Sequence, residues 1–155
     1  MMPQSFPPLP EDDEAVCFSS EETPFDLTNE AEVIAWLRKV IEQENSTLRL
    51  LNFIFCSDDY LHHLNVEYLD HDTLTDVITF PYANPPEVEG DIFISIDRVK
   101  DNALEFNVPF EQELYRVMVH GVFHLCGYGD KTKEEELLMR QKENEALALW
   151  GFDKK

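Results

Sequence analysis

Apolar residues recur every three or four positions in five stretches of the chain, which is the spacing of one buried helical face. The predicted helices cover residues 29–41, 57–68, 98–106, 109–125 and 132–149. Asn107 can cap the fourth helix, and Gly127 follows its last apolar residue, where glycine commonly ends a helix. The fourth helix is long and apolar and is therefore expected to be the central helix of the fold.

Short runs of β-branched, aromatic and aliphatic residues lie between these helices and predict strands. They cover residues 15–19, 48–56, 77–82 and 92–96, and the first is expected at an edge of the sheet. The pattern predicts an α+β fold, a single small domain in which a mixed sheet of about four strands packs against helices. Residues 1–13, rich in proline and acids, are expected to form a flexible N-terminal lead-in to a domain covering residues 14–155.

The size and composition agree with one packed domain. The chain has 155 residues, of which 43% are hydrophobic, and a chain of this length can bury a substantial core. No apolar run reaches the roughly 20 residues that cross a bilayer, and no basic segment precedes an apolar one at the N-terminus. The expected location is therefore the cytoplasm, with no membrane partner.

Cysteine use favours the same compartment. Cys17, Cys56 and Cys126 are an odd number of widely spaced cysteines, whereas a disulfide framework in a short secreted chain has an even number. The simplest interpretation is that they are buried, reduced thiols. Cys126 is the one that could instead bind a metal or react, because it lies close to the histidines described next.

Two histidines and one aspartate form the candidate site. His120 and His124 are four residues apart on the fourth helix, so their imidazoles lie on one face, about one turn apart. That separation allows two ring nitrogens to meet one ion at about 2.0–2.1 Å. Gly127 then ends the helix, and Asp130 can return as a third ligand. Alternatively, the two histidines only fill space in the core.

Three protein ligands leave one position of a tetrahedral ion open, as in catalytic rather than structural zinc sites. We therefore predict one divalent metal ion, zinc by preference, held by His120, His124 and Asp130, and no organic cofactor. Such an ion would polarise a phosphoryl oxygen, supply hydroxide at neutral pH, or do both.

The histidine segment resembles a known signature. Residues 120–128, HGVFHLCGY, are similar to the motif of the YbeY family of bacterial metal-dependent endoribonucleases. Other segments agree in order and spacing, and the similarity extends over roughly residues 50–145. They are Leu64-Asn65, Tyr68, Asp72, the run TDVITFP at 75–81, Gly90-Asp91-Ile92, Met139 and Glu143.

The resemblance implies a function. It implies a single-strand-specific endoribonuclease of small-subunit ribosomal RNA maturation and ribosome quality control, with ribosomal RNA and the small ribosomal subunit as partners. Two residues depart from the family pattern: Asp130 stands where the family has a third histidine, and Leu69 stands where it has an arginine. Arg98, or a basic residue elsewhere, could replace that arginine, and the catalytic groups beyond the metal and its water stay unassigned.

Charge and chemistry keep two alternatives open. The formal net charge of −20 repels polyphosphate, so an RNA function needs a local basic patch, a divalent metal or a partner that presents the RNA. One alternative is a non-catalytic, metal-stabilised module that binds the ribosome. The other is a zinc-dependent peptidase, which is disfavoured because Gly121 stands where such enzymes place a glutamate base.

Three further aspartates, Asp72, Asp76 and Asp91, could form a cleft wall that orients the metal's water or a histidine's second nitrogen. They could equally cap turns and strand ends. The acidic part of the last helix, residues 133–145, is interpreted as a solvated face.

Overall fold

The computed structural model describes residues 15–69 and 75–151. These residues form four strands and five helices. In chain order the elements are β1 (Val16–Glu21), α1 (Glu30–Gln43), β2 (Thr47–Cys56), α2 (Asp58–Leu69), β3 (Val77–Pro81), β4 (Glu87–Ser95), α3 (Ile96–Phe106), α4 (Phe110–Leu125) and α5 (Lys133–Trp150). No helix among them is long and apolar enough to cross a membrane.

The four strands form one mixed sheet, in the order β1-β2-β4-β3. β2 is parallel to both β1 and β4, and β3 is antiparallel to β4. The predicted α+β fold is therefore confirmed, and β1 lies at an edge as expected. Alternate residues of the two central strands are buried in register, with Phe53 opposite Ile92 and Phe55 opposite Ile94.

Helix α4 packs against this sheet and is the central helix. Most of its positions are buried, including Met118, Val119 and Val122. Gly121 allows a close approach to β4, since a Cβ at this position would lie 2.8 Å from Ile92 Cγ2. The close packing of Gly121 on the sheet therefore fixes the distance of α4 from the sheet and its rotation about its own axis. The same contact sets the direction of the side chains of His120 and His124.

Two local predictions are corrected by the structure. Asn107 does not begin α4: it ends α3 in the left-handed conformation, with φ 57°, and Pro109 is the N-cap of α4. Strand β4 begins at Glu87, five residues before the predicted start. Glu87–Gly90 alternate exposed or half-buried residues with buried ones, as in a half-buried strand, and they pair with β2. Gly127 does end α4 as predicted, with φ 110°.

The hydrophobic core runs through the described part of the chain, from Val16 in β1 to Leu147 in α5. The proposed lead-in at residues 1–13 lies outside the described residues, so the division into lead-in and domain stays a prediction. Of the cysteines, Cys56 is buried and Cys126 half-buried, but Cys17 is exposed, contrary to expectation. Cys17 lies on the edge strand β1, where alternate side chains face solvent.

Candidate metal centre

The histidines of α4 face each other. His120 Nε2 and His124 Nε2 are 3.1 Å apart, with the ring planes nearly perpendicular. The spacing of four residues places both rings on the same face of α4, as predicted. Both side chains are mostly buried, with 21% and 25% of their surface exposed.

Asp130 joins them from the loop between α4 and α5. Its Oδ2 atom lies 3.3 Å from Nε2 of His120 and 3.3 Å from Nε2 of His124. Among the described residues, these three form the group of His, Cys, Asp or Glu side chains that could hold a metal ion. The structure thus brings together all three residues that the sequence predicts as ligands.

The loop that carries Asp130 is fixed at both ends. On one side, the Tyr128 hydroxyl donates to Glu44 Oε1 at 2.6 Å, and Lys142 Nζ donates to Glu44 Oε2 at 2.9 Å. On the other side, Thr132 caps α5, accepting a hydrogen bond from the backbone N–H of Glu135. Asp130 is therefore held between two anchored residues rather than on an unsupported loop.

The hydrogen bonds made by Nδ1 of His120 and His124 determine which ring nitrogens are available to bind a metal ion. His120 Nδ1 lies 2.6 Å from Glu143 Oε2, and His124 Nδ1 lies 2.9 Å from the carbonyl oxygen of Tyr128. Both partners are acceptors, so each Nδ1 carries the hydrogen, and a neutral ring directs its Nε2 lone pair at the other two donors. Two ring nitrogens and a carboxylate then converge at 3.1–3.3 Å, an arrangement that a bound cation, or a proton on one Nε2, stabilises.

These distances fit a divalent ion. Ligands of a tetrahedral ion at about 2.0–2.1 Å are separated by about 3.3 Å, close to the spacings observed here. Two imidazoles and one carboxylate are also a ligand set that zinc accepts in catalytic sites. The donor set and its geometry therefore support a metal site at His120, His124 and Asp130.

Glu143 is the residue of this site to which the sequence interpretation gave no role, although it is among the positions that carry the family resemblance. It was assigned to the solvated face of the last helix, but only 5% of it is exposed. Its Oε2 accepts from His120, and its Oε1 accepts from Arg116 Nη1 at 2.9 Å. The signal available in the sequence is its spacing of four from Met139, which places both on the buried face of α5.

The electrostatics of His120 and Glu143 are coupled. Burial alone would raise the pKa of Glu143, but hydrogen bonds and charges from His120 and Arg116 outweigh it and hold that pKa below its usual value. Burial alone would lower the pKa of His120, but its hydrogen bond to Glu143 and the nearby carboxylates hold it above its usual value. Glu143 is thus a charged acceptor that orients His120.

A cavity of about 510 Å³ opens beside the centre. Helix α4 forms its floor, and the end of α3, the start of β3 and the outer turns of α5 form its walls. His120, Asp130 and Glu143 line it, so the candidate metal site faces a space large enough for a small substrate group.

The predicted cleft aspartates have different positions. Asp76 lines the cavity, accepts a hydrogen bond from Asn102 Nδ2 at 3.2 Å, and has a pKa raised by burial. Asp91 bonds instead to Asn52 and Tyr82 and does not line the cavity. Asp72 lies outside the described residues. Asp76 is therefore the one of these aspartates with a supported place beside the metal centre.

The basic residues that line the cavity do not include Arg98, the candidate replacement for the family's arginine. Arg98 binds Asp58 and Asp101, and neither Arg98 nor Leu69 is among the described residues that line the cavity. Cationic side chains reach it from α4 and α5 instead. They are Arg116, Lys133 and Arg140.

Two alternative chemistries lose support from the geometry. Cys126 lies outside the ligand group found in the described residues, and burial raises the pKa of its thiol to about 11, which disfavours the thiolate that binds metals. Gly121, at the position of a peptidase base, faces Ile92 of the sheet rather than the cavity. A glutamate there would have no room and no path to the metal.

A buried carboxylate at the cavity floor gives a pH prediction. Glu113 is 4% exposed, and burial raises its pKa from 4.5 to about 7, although Arg116 opposes the shift. Because the folded-state pKa is raised, stability is full at pH values below the unfolded pKa and falls as pH rises through the folded pKa, between about 4.5 and 7. The full shift corresponds to about 3 kcal/mol.

Replacing Glu113 by Gln removes this titration. We expect the Tm of Glu113→Gln relative to the parent protein to rise between pH 5 and pH 8, by several degrees. Thermal unfolding at both pH values measures it, with Glu111→Gln, an exposed acid of the same helix, as control. Equal Tm differences at the two pH values for Glu113→Gln would show that the carboxylate is not protonated on folding.

Comparison with known proteins identifies the family. The sequence model of the family described as Endoribonuclease YbeY matches residues 17–151. The chain belongs to this family. It is 53% identical to the Endoribonuclease YbeY of Flavobacterium johnsoniae over 132 residues, which are 85% of this chain and 95% of that protein. It is 54% identical to that of Flavobacterium psychrophilum over 129 residues, 83% of this chain and 92% of the other.

The fold agrees with this assignment. The solution structure of the Thermotoga maritima protein TM1509 is similar, with a TM-score of 0.60 and 28% sequence identity. The similarity covers 87% of this chain and 91% of the other. Membership of the YbeY family makes the chain a nuclease of the endoribonuclease class, and it confirms the resemblance seen in residues 120–128.

Proposed function

We propose that this endoribonuclease depends on one divalent metal ion, zinc by preference, bound by His120, His124 and Asp130. We further propose that its substrate is single-stranded ribosomal RNA in precursors of the small ribosomal subunit, in the cytoplasm. The observation that carries the proposal is the convergence of three donor atoms within 3.1–3.3 Å at the edge of an open cavity.

The residues of the chain have separate tasks in phosphodiester cleavage. Glu143 and the Tyr128 carbonyl keep both Nε2 atoms directed at the ion. A bound divalent ion supplies Lewis-acid chemistry, polarising a phosphoryl oxygen and acidifying water at neutral pH. Asp76 lines the same cavity and burial raises its pKa, so with an ion bound it would be the candidate general base for the attacking water.

The net charge of −20 argues for presentation of the RNA by a partner. A polyanion is repelled over most of this surface, and long-range attraction to free RNA is not expected. The cationic side chains of the cavity act only over short distances, once the RNA has been brought to it. We therefore propose that RNA is cleaved while held on the small ribosomal subunit. Submicromolar binding of naked RNA in physiological salt would contradict this proposal.

Cleavage of a defined substrate tests the function. Purified protein, stripped of metal with a chelator and then reloaded, should cleave a single-stranded segment of a ribosomal RNA precursor and leave the matching duplex intact. Restoration of activity by zinc, but not by buffer alone, is the expected result. A metal-loaded protein that cleaves no RNA, free or on the small subunit, would favour the non-catalytic binding module.

Substitution of Asp130 separates ligand chemistry from loop geometry. Asp130→Ala is expected to lower zinc affinity by at least the roughly 10- to 100-fold that loss of a ligand's hydrogen-bond partner costs. It should leave the fold intact, because the side chain is partly exposed and serves the site rather than the core. Asp130→His should retain zinc, since imidazole is an equally good ligand. Zinc titration of stripped proteins measures both. If Asp130→His binds no better than Asp130→Ala, the loop does not direct residue 130 at the ion.

A further inference from the structure

The cavity beside the metal centre continues into a second, smaller one. This second cavity, of about 140 Å³, is lined in part by Val108 and Gln112 and lies towards the start of α4. Four residues line both cavities: Phe106, Glu113, Arg116 and Arg140. The two cavities therefore form one groove along α4, running from His120 past Arg140 to Phe106 and beyond.

Phe106 presents an aromatic ring at this groove. It is the last residue of α3 and is 53% exposed. The turn that follows is fixed, since Asn107 adopts the left-handed conformation and the Val108 N–H bonds to the Ala103 carbonyl at 3.0 Å. Leu137, 65% exposed on α5, adds a second apolar side chain at the mouth of the groove.

Arg140 supplies positive charge that its neighbours do not neutralise. Its Nη1 lies 3.8 Å from Glu143 Oε1, and its side chain is 57% exposed. That same oxygen already accepts from Arg116 at 2.9 Å, while the other carboxylate oxygen faces His120 at 2.6 Å. One buried carboxylate is thus shared by two guanidinium groups, so Arg116, Arg140 and Glu143 together carry one net positive charge.

Besides Glu143, four acids among the described residues line the groove. Asp130 belongs to the candidate metal centre, and Asp76 lines the same cavity. Glu136 is exposed on α5, where solvent screens it. Glu113 is buried and has a pKa of about 7, so it carries only part of a negative charge at neutral pH. The groove therefore combines an aromatic ring, an apolar rim and an unneutralised guanidinium, the combination by which proteins hold single-stranded nucleic acid.

We propose that Phe106 and Arg140 form a nucleotide subsite for the RNA substrate, in which Phe106 stacks on a base and Arg140 binds an adjacent phosphate. The subsite rests on the proposed function, because it positions a single strand whose backbone continues to the metal centre. Stacking needs an unpaired base, so the subsite also provides a reason for the selection of single strands over duplexes.

Matched variants test the subsite in metal-loaded protein. Phe106→Ala and Arg140→Ala are compared with Leu104→Ala and Arg49→Ala. Leu104 is 82% exposed on the same helix as Phe106, and Arg49, on β2, pairs with Glu87 at the start of β4. Neither Leu104 nor Arg49 lines the groove. The ligands are a short, uncleavable single-stranded oligonucleotide and an abasic oligonucleotide of the same length, at about 50 mM salt to strengthen phosphate contacts.

Phe106→Ala is expected to raise the Kd of the base-containing oligonucleotide by roughly 10-fold and leave that of the abasic one unchanged. Phe106→Trp should restore binding. Arg140→Ala should weaken binding of both oligonucleotides. It should also reduce the slope of log Kd against log salt by about 0.7, as expected for one lost phosphate contact. On a cleavable single strand, Phe106→Ala should raise KM and spare kcat. Both controls should stay within about twofold of the parent.

Failure of the subsite can be told from failure of the proposed function. If the parent cleaves single-stranded RNA but Phe106→Ala and Arg140→Ala behave like the controls, the subsite is wrong and the nuclease function stands. If Phe106→Ala weakens binding of the abasic and the base-containing oligonucleotides equally, the role of Phe106 is structural and stacking is excluded. If the parent cleaves no single-stranded RNA, either free or on the small ribosomal subunit, both proposals are wrong. Thermal unfolding confirms that each variant is folded.

Discussion

Replacing His124 by alanine is expected to abolish metal binding and to lower RNA cleavage by on the order of 10³-fold or more. The Nε2 atom of His124 lies 3.1 Å from that of His120 and 3.3 Å from the Asp130 carboxylate, so its loss leaves two donors. The remaining imidazole and carboxylate are a weaker zinc pair than the two imidazoles that Asp130→Ala leaves, because zinc favours imidazole nitrogen over carboxylate oxygen. His120→Ala should give the same loss of metal, with an added loss of stability because Glu143 loses a partner.

The control is a histidine that belongs to no site. His63 pairs with Glu67 on the surface of α2, and its side chain is 75% exposed. His63→Ala should retain one metal ion per chain and full activity. Metal content by mass spectrometry and cleavage rates are measured on the same samples. Activity of His124→Ala within a few-fold of the parent would remove the metal from the mechanism.

Loss of Glu143 should have the second largest effect, although this residue is not a proposed metal ligand. Glu143→Ala removes the acceptor that orients His120 and leaves the Arg116 guanidinium partly buried without its carboxylate. Loss of such an orienting carboxylate typically weakens metal binding by about 10- to 100-fold. Removing one partner of a buried pair costs about 3–5 kcal/mol of folding stability.

The milder change Glu143→Gln separates these two effects. Glutamine can still accept from His120 Nδ1 through its carbonyl oxygen, so the ring direction should survive while the charge is lost. We expect zinc affinity between those of the parent and Glu143→Ala, measured by competition with a chelator. Glu145→Ala, an exposed acid on the same helix that bonds Gln141, is the control. If Glu143→Ala keeps the parent's zinc affinity, His120 is oriented by packing alone.

The helices and the convergence of His120, His124 and Asp130 were predictable from the sequence because both follow from local geometry. Apolar spacing of three and four marks α1, α4 and α5, and the spacing of four between His120 and His124 fixes their common face. A glycine after the helix and a carboxylate three residues later are enough to predict a returning loop. These signals need no knowledge of distant contacts.

The features that were missed depend on contacts between distant segments. Glu143 lies 23 positions from His120 along the chain, and its exposed acidic neighbours hide it in the pattern of α5. The first half of β4 alternates polar and apolar residues over only four positions, directly after the Pro85-Pro86 pair, so its pairing with β2 decides its conformation. Asparagine is a residue type favoured at N-caps, but Asn107 ends α3 in the left-handed conformation. The N-cap of α4 is Pro109, two residues later.

The groove along α4 also could not be predicted, since α3, α4, α5 and the start of β3 all contribute to it. The basic residues that line it, Arg116, Lys133 and Arg140, are ordinary helix residues in the sequence. Only the packing of α3 and α5 on α4 brings them beside the metal centre. The sequence alone could not show that Arg98 pairs with Asp58 and Asp101, does not line the cavity and therefore does not replace the family's arginine there.

Titration of metal-stripped protein with zinc, with binding and cleavage of single-stranded RNA followed on the same samples, tests the central claim most directly. We expect activity to be absent in the stripped protein, to rise in proportion to bound zinc, and to reach its maximum at one ion per chain. Full activity before zinc is added, or saturation of the protein with zinc without any gain in cleavage, would contradict a catalytic metal at His120, His124 and Asp130.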